Sequence, residues 1–340
     1  MSQELRHVKV LVIRFSSIGD IVLTTPVLRC LKQVSGCKME VHFATKEAYA
    51  ILLMHNPHVD KLHLHDGSLS DLIKSLRAER FDYIIDLHNN IRSAIIKLFL
   101  NRPGSSFRKL NTEKWLLTNF KRGKLPPIHL VDRYFEAAFA VGTTNDGKGL
   151  DFFFPERQNV MPSGLPDEFQ KGYVAFVIGG KHATKRLPNE KIINICRGIP
   201  YRVLLLGGSE DAANGETIAA SSGDSVFNGC GIFSLPQSAY LVKQARVVIS
   251  HDTGLMHIAA AFNCKLISVW GNTIPEFGMT PYMPLYPERS VIIEIKDLPC
   301  RPCTKIGYPK CPKGHFDCMM KIKEIRVIQE VIKHLEPQQT

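Results

Sequence analysis

Along the whole chain, short and nearly unbroken apolar runs alternate with segments whose apolar positions recur every three to four residues. An unbroken apolar run suits a strand buried on both faces. Its alternation with helical segments predicts parallel sheets joined by crossover helices. In the first half the strands are expected at 8–15, 39–45, 59–65 and 81–87, and the helices at 19–34, 46–54, 69–79 and 91–100. A further helix at 129–142 closes this half. Residues 151–172 are rich in proline and polar side chains, lack a helical period, and read as a linker. The second half repeats the scheme, with strands at 173–179, 202–208, 247–250 and 265–271 and helices at 188–197, 210–221, 235–245 and 255–262. An amphipathic segment at 321–335 ends it. The expected fold class is α/β, with two Rossmann-like, doubly wound domains (1–160 and 161–340) facing across a cleft. Ligands then belong at the carboxyl ends of the strands.

Four glycine-containing turns fall at such ends. SSIGD (16–20) follows the first strand, and its small residues Ser17 and Gly19 permit a tight turn into the next helix. Asp20 is the notable member, open to two readings: a functional carboxylate, or a complement to the positive end of the helix. SHDTGLMHIAAA (250–261) follows the third strand of the second half. There Thr253 and Gly254 open a helix whose first N–H groups suit an anion, and Asp252 suits hydroxyls such as those of a sugar. Asp252 or Thr253 as a plain helix N-cap is the competing reading. His251 and His257 are ambiguous between packing and chemistry. In IGGKHATKRLP (178–188) two glycines, including Gly180, precede Lys181, Lys185 and Arg186, a combination suited to a departing diphosphate. In LLLGGSEDAANGE (204–216) Glu210 and Asp211 follow a glycine turn where a ribose could dock, or they are surface acids at a helix start.

A fifth motif lies in the tail. Cys300, Cys303, Cys311 and Cys318, with His315 between the last two, could close a tetrahedral structural zinc site or remain thiols. The other five cysteines are scattered and read as small core residues.

Length, composition and charge narrow the class. At 340 residues, two cores of roughly 150 residues each are expected. A 44% hydrophobic, 22% charged composition is that of a globular protein rather than a disordered one. No apolar run reaches the ~20 residues of a membrane helix, and the N-terminus lacks the pattern of a secretory signal, so a cytoplasmic location is expected. The net charge of +11 is concentrated: residues 92–124 hold nine basic side chains against Glu113 alone, a local excess of eight. That stretch suits an acidic glycan or anionic lipid, or is a solvated basic face; no nucleic-acid-binding motif accompanies it.

Together these motifs resemble the ADP-heptose:lipopolysaccharide heptosyltransferases, glycosyltransferase family nine. The resemblance rests on RFSSIGDIVLTTPVLRCLK near the start, on GGKHATKRLP, and on SHDTGLMHIAAAFNCKLISVWG in the second half. It implies a GT-B fold and an inverting transfer of heptose from ADP-heptose to the inner core of lipopolysaccharide, without a required cofactor. It implies Asp20 as general base and Lys185 at the donor phosphates. Asp252 would meet the donor sugar, with Thr253 and Gly254 as the phosphate turn. Gly180, Lys181, Glu210, Leu255 and Met256 complete the expected donor site. Ser17, Gly19, Arg92, Arg108 and Arg133 form the expected acceptor site, serving an anionic lipid-linked glycan with peripheral contact to the inner membrane face. The chain departs from the family where Arg186-Leu187-Pro188 replaces the frequent x-Trp-Pro. A transferase of the same fold with another sugar or acceptor, and a non-catalytic glycan-binding scaffold, are the alternatives.

Overall fold

A computed structural model describes residues 6–155 and 162–336. The chain forms two compact units: residues 1–109 with 128–154, and residues 110–127 with 155–340. The boundary expected at 160/161 lies outside the described residues, as does part of the expected linker.

In the first unit the elements are β1 (Arg6–Ile13), α1 (Ile18–Val22), α2 (Thr25–Leu31), β2 (Cys37–Lys46), β3 (Lys61–His65), α3 (Leu69–Ala78), β4 (Tyr83–Asp86), α4 (Ile91–Leu100) and β5 (Gly104–Ser106). The chain leaves for α5 (Asn111–Phe120), which groups with the second unit, and returns with α6 (Leu130–Ala138). The strands pair in parallel in the order β3-β2-β1-β4-β5. Val10, Leu11, Val12 and Ile13 of β1 are fully buried, as a central parallel strand requires.

The second unit contains α7 (Asp167–Gln170), β6 (Val174–Val177), α8 (Asn189–Gly198), β7 (Val203–Leu206), α9 (Ala212–Ser222), β8 (Val226–Asn228), α10 (Leu235–Gln244), β9 (Val247–His251), α11 (Gly254–Ala261), β10 (Leu266–Trp270), β11 (Ser290–Glu294), α12 (Asp317–Met320) and α13 (Glu324–Leu335). Its sheet is parallel in the order β11-β10-β9-β6-β7-β8. Val327, Ile328 and Val331 seat α13 on the core of this unit.

Several elements differ from expectation. The helix expected at 19–34 is two helices, because Pro26 in the first turn of α2 has no N–H with which to continue the ladder of α1. Thr24 and Thr25 take up the carbonyls left at the break, their hydroxyls donating to Ile21 (2.7 Å) and Val22 (2.8 Å). The segment expected as a helix at 46–54 is a 3₁₀ helix, Glu47–Leu52. The edge strands β5 and β8 have three residues each, too few to register as apolar runs. β11 follows a crossover with only two single 3₁₀ turns, so no periodic segment announces it. No helix of the described residues is long and apolar enough to cross a membrane.

Candidate active site

In each sheet the strand order reverses at one place, and there the loops leaving adjacent strands part and open a crevice. In the first unit this place is between β1 and β4, and in the second between β6 and β9. The turns singled out at Asp20 and at Asp252 leave from β1 and β9, and the turn carrying Lys185 leaves from β6.

At the first crevice Asp20 is not a lone carboxylate. It is the third residue of α1, and its Oδ2 accepts the Ser17 N–H (3.2 Å) and the Ser17 hydroxyl (2.7 Å). Its Oδ1 faces the Arg14 guanidinium at 2.6 Å. Burial opposes the charge on Asp20, but Arg14 first and Ser17 second outweigh it, and the carboxyl is held below its usual range. Arg14, 8% exposed, also donates to the carbonyls of Ser16 (2.8 Å) and Leu87 (2.6 Å). From β4, the fully buried Asp86 accepts the N–H groups of His88 (3.0 Å) and Asn89 (2.6 Å), the Ser93 hydroxyl (2.8 Å) and the Lys97 ammonium (3.2 Å). Asn90 and Ser93 cap α4 reciprocally, which fixes the loop facing Arg14.

At the second crevice the Lys185 ammonium lies 2.6 Å from Asp252 Oδ2, and the Thr273 hydroxyl donates to the same oxygen at 2.9 Å. Thr253 is the extended N-cap of α11 and makes no side-chain cap, so no side chain of the N-cap satisfies the first amides of this eight-residue helix. Gly180 packs beside it: a Cβ there would lie 3.2 Å from Thr253 Cγ2, tighter than the site comfortably accepts. At Gly179 a Cβ would fall 2.5 Å from Asp211 Oδ2, so the glycine pair follows from close approach. Asp211 is buried and holds Arg186 at 2.8 Å, while Glu210 beside it is exposed. Lys181 is exposed; Leu255 is partly exposed, and Met256 is wholly buried, which leaves only its backbone for a ligand.

His251 belongs to the scaffold. Its Nε2 accepts the Leu187 N–H at 3.0 Å, tying the Lys185 turn to β9, so the ring proton sits on Nδ1. The cysteine-containing tail braces the same region. Thr184 and Tyr308 exchange hydrogen bonds, with the Tyr308 N–H donating to the Thr184 hydroxyl at 2.8 Å. Arg301, inside the CRPC segment, donates to the carbonyls of Gly271 (2.6 Å), Thr273 (2.7 Å) and Ile295 (2.8 Å) and pairs with Glu294 (2.7 Å). The tail therefore holds the turn from which Thr273 reaches Asp252. Neither Thr273, Arg301 nor Arg14 was singled out by the sequence pattern.

The remaining expected residues differ in exposure. Arg92 and Arg108 are exposed, whereas Arg133 is 2% exposed and its guanidinium donates to the Arg108 carbonyl at 3.4 Å, so it does not present its charge to solvent. Among the described residues the sulfurs of Cys300, Cys303, Cys311 and Cys318 do not converge as a metal-ligand set. Burial, with neighbouring thiols, pushes Cys303 up to about 11 and Cys318 up to about 12. The one group that does converge among those residues is His42, His63 and Glu79. It is closed on itself: His42 Nδ1 meets His63 Nε2 at 2.9 Å, His42 Nε2 meets Glu40 at 2.7 Å, and Lys9 and Lys61 occupy Glu79.

Neutral histidines held low by their partly or fully buried positions give the fold an acid limit. Burial pushes His63 and His88 down to about 4 and His251 to about 3. In the unfolded chain each titrates near 6.5, so between about pH 6.5 and 4 the unfolded state binds more protons. Stability is complete above 6.5 and falls as the pH drops through this window. Carboxylates held low, such as Glu79 at about 2, add to the loss only as the pH falls below their unfolded value of about 4.5. Melting temperature should therefore decline steadily from pH 7 to 5; a flat profile over that range would contradict the neutral, buried assignment.

The family model of glycosyltransferase family 9 (heptosyltransferase) matches residues 69–312. Lipopolysaccharide heptosyltransferase 2 of Salmonella typhimurium is 25% identical, over 95% of this chain and 97% of its own length. Lipooligosaccharide heptosyltransferase 2 of Haemophilus ducreyi is 26% identical, over 95% and 98%. The crystal structure of a family 9 glycosyl transferase from Veillonella parvula has a TM-score of 0.76 at 22% identity, covering 98% of this chain and 99% of its own. The two parallel-sheet units are those of the GT-B fold. With the family model matching well over half of its length, this glycosyltransferase belongs to family 9, the heptosyltransferases.

Proposed function

We propose that the chain moves heptose from ADP-heptose to a hydroxyl of the lipopolysaccharide inner core, with inversion at the transferred carbon. The observation that carries the reading is the Lys185–Asp252–Thr273 group beside the uncapped start of α11. A carboxylate set against an ammonium and a helix N-terminus suits a ligand that is part polyol and part diphosphate. Asp252 takes sugar hydroxyls, while Lys185 and the amides of Gly254 and Leu255 take the diphosphate. Exposed Glu210 is available to the ribose. The acceptor hydroxyl attacks the sugar carbon opposite the diphosphate, Asp20 removes its proton, and the carbon–oxygen bond to ADP breaks. Charge growing on the departing diphosphate meets groups already oriented toward it. Exposed Arg92 and Arg108 suit phosphates of the acceptor.

The test supplies radiolabelled ADP-heptose, and in parallel UDP-, GDP- and CMP-sugars, with a heptose-free lipid acceptor. Transfer from ADP-heptose alone supports the reading; transfer from another donor moves the chain to a different sugar. Binding without any transfer leaves only a glycan-binding scaffold.

The reading includes peripheral contact with an anionic membrane face. No residue of α5 is buried, and Trp115 and Phe120 stand 54% and 56% exposed with their rings 5.1 Å apart. Arg122 and Lys124 follow in exposed positions, while Lys121 is engaged with the Pro302 carbonyl at 2.5 Å. An apolar pair beside basic residues suits the boundary of an anionic leaflet, where each charge contributes about 1 kcal/mol. Reversing Arg122 and Lys124 to glutamate should lower binding to phosphatidylserine-containing vesicles by at least about tenfold at 50 mM salt. The difference should shrink toward 500 mM. Equal vesicle binding by parent and variant would leave α5 a solvated helix.

A further inference from the structure

We propose that Arg14 is a positioning residue for transfer, aiming the Asp20 carboxylate and restoring its charge after each turnover. This rests on Asp20 being the base.

Arg14 stands at the end of β1, where the strand hands over to the turn that carries Asp20. Its guanidinium is fixed by the strand end and by the neighbouring loop. Nε donates to Ser16, Nη1 to Leu87 beyond β4, and Nη2 faces Asp20 Oδ1 at 2.6 Å. The rings of Phe107 and Tyr134 flank it, their centroids 6.0 and 5.9 Å from its central carbon. A planar group held through three nitrogens has little freedom, so the carboxylate it binds inherits one orientation. Ser17 holds the other oxygen from the opposite side. A lysine ammonium, a point charge on a flexible stem, cannot reproduce that fork.

The charge argument runs alongside. In the transfer step the acceptor O–H bond breaks, its oxygen bonds to the sugar carbon as the bond from that carbon to the ADP diphosphate breaks, and the proton arrives on Asp20. A protonated Asp20 leaves the buried Arg14 cation facing a neutral group, which favours rapid release of that proton to water. The other titratable groups around this pair are Asp86 and His88 at the end of β4, Tyr134 on α6, and two cations one residue further out, Lys109 beside His88 and Arg133 beside Tyr134. Asp86 is already occupied by Lys97 and Ser93. Burial pushes the Tyr134 phenol up, so it adds no negative charge near neutrality, and His88 is neutral above about pH 4 and adds no positive one. Arg14 is the cation in contact with Asp20.

The experiment compares Arg14→Lys and Arg14→Gln with the parent and with Asp20→Asn. It records kcat, donor KM and the pH profile of kcat/KM, with circular dichroism and melting curves as folding controls. Arg14→Lys should lower kcat about tenfold, leave donor KM unchanged, and keep the acidic limb near the parent's. Arg14→Gln should move that limb upward by about one pH unit or more, because a desolvated carboxylate without its cation protonates more readily. A merely structural arginine would lower the amount of active protein without moving the limb. An Arg14→Gln limb coincident with the parent's overturns the proposal, and so does full parental kcat in Arg14→Lys. The second result decides the matter if Arg14→Gln does not fold. Inactive Asp20→Asn beside either result leaves the base reading standing, whereas an active Asp20→Asn removes that reading and this proposal with it.

Discussion

Asp20→Asn should abolish measurable transfer while the dissociation constant for ADP stays within about twofold of the parent's. Asparagine has nearly the size and shape of aspartate, so the Ser17 contacts at Oδ2 have a replacement acceptor, but an amide cannot take a proton from the acceptor hydroxyl. Loss of a general base typically lowers the rate by ~10²–10⁴. The groups assigned to the donor, Lys185, Asp252 and Thr273, make their contacts without Asp20. Removing the carboxylate also strips Arg14 of its ion-pair partner, and an unpaired buried charge typically costs about 3–5 kcal/mol. Lost activity must therefore be separated from lost fold. The double variant Asp20→Asn with Arg14→Gln removes the stranded charge, so its melting temperature should recover while transfer stays absent. Parental turnover by correctly folded Asp20→Asn would take Asp20 out of the mechanism.

The parts of this site legible in the sequence are those whose position follows from a strand end. Apolar runs fill β6 and form parts of β1 (Val10–Ile13) and β9 (Val247–Ile249), and in a parallel sheet the turn after such a strand faces the ligand side. Asp20, Lys185 and Asp252 could thus be placed from local pattern alone. The partners that give them their properties could not. Arg14 reads as an interruption at the end of an apolar strand, and only the pairing of β1 with β4 shows it reaching Leu87, 73 residues away. Arg301 sits among cysteines that attract a metal reading. Its bonds run to carbonyls 28 and 30 residues earlier, and carbonyls leave no trace in a residue pattern. Whether the basic stretch 92–124 suits a lipid or is a solvated face turns on what lies beside its charges, and Trp115, Leu116 and Phe120 are exposed there. Exposure depends on what packs against a helix, and that is set by tertiary structure. His251 is ambiguous in the sequence between packing and chemistry. Its acceptor role toward Leu187 emerges only when β9 lies beside the β6 turn.

Lys185→Ala should weaken ADP binding and slow transfer, and the pairing of Lys185 with Asp252 makes the reason testable. A charge-assisted contact to the diphosphate contributes about 1.5–3 kcal/mol, so the dissociation constant for ADP should rise between roughly tenfold and a hundredfold. The same ammonium neutralises Asp252, whose side chain is 8% exposed and has Thr273 as its other hydrogen-bond donor. Two roles thus predict the same single-variant result. In the first, Lys185 meets the phosphates directly. In the second, it only shields Asp252, and the bare carboxylate then repels the anionic ligand. Asp252→Asn separates them. If shielding were the whole role, Lys185→Ala with Asp252→Asn would bind ADP as tightly as Asp252→Asn alone, since no carboxylate is left to shield. With a direct phosphate contact, the double variant stays at least about tenfold weaker than Asp252→Asn. Calorimetric titration of ADP into the four proteins gives the coupling term, and transfer rates at saturating donor report the charge that develops as ADP departs. An unchanged ADP dissociation constant together with unchanged turnover in Lys185→Ala would reduce Lys185 to an ion-pair partner of Asp252 with no part in donor recognition.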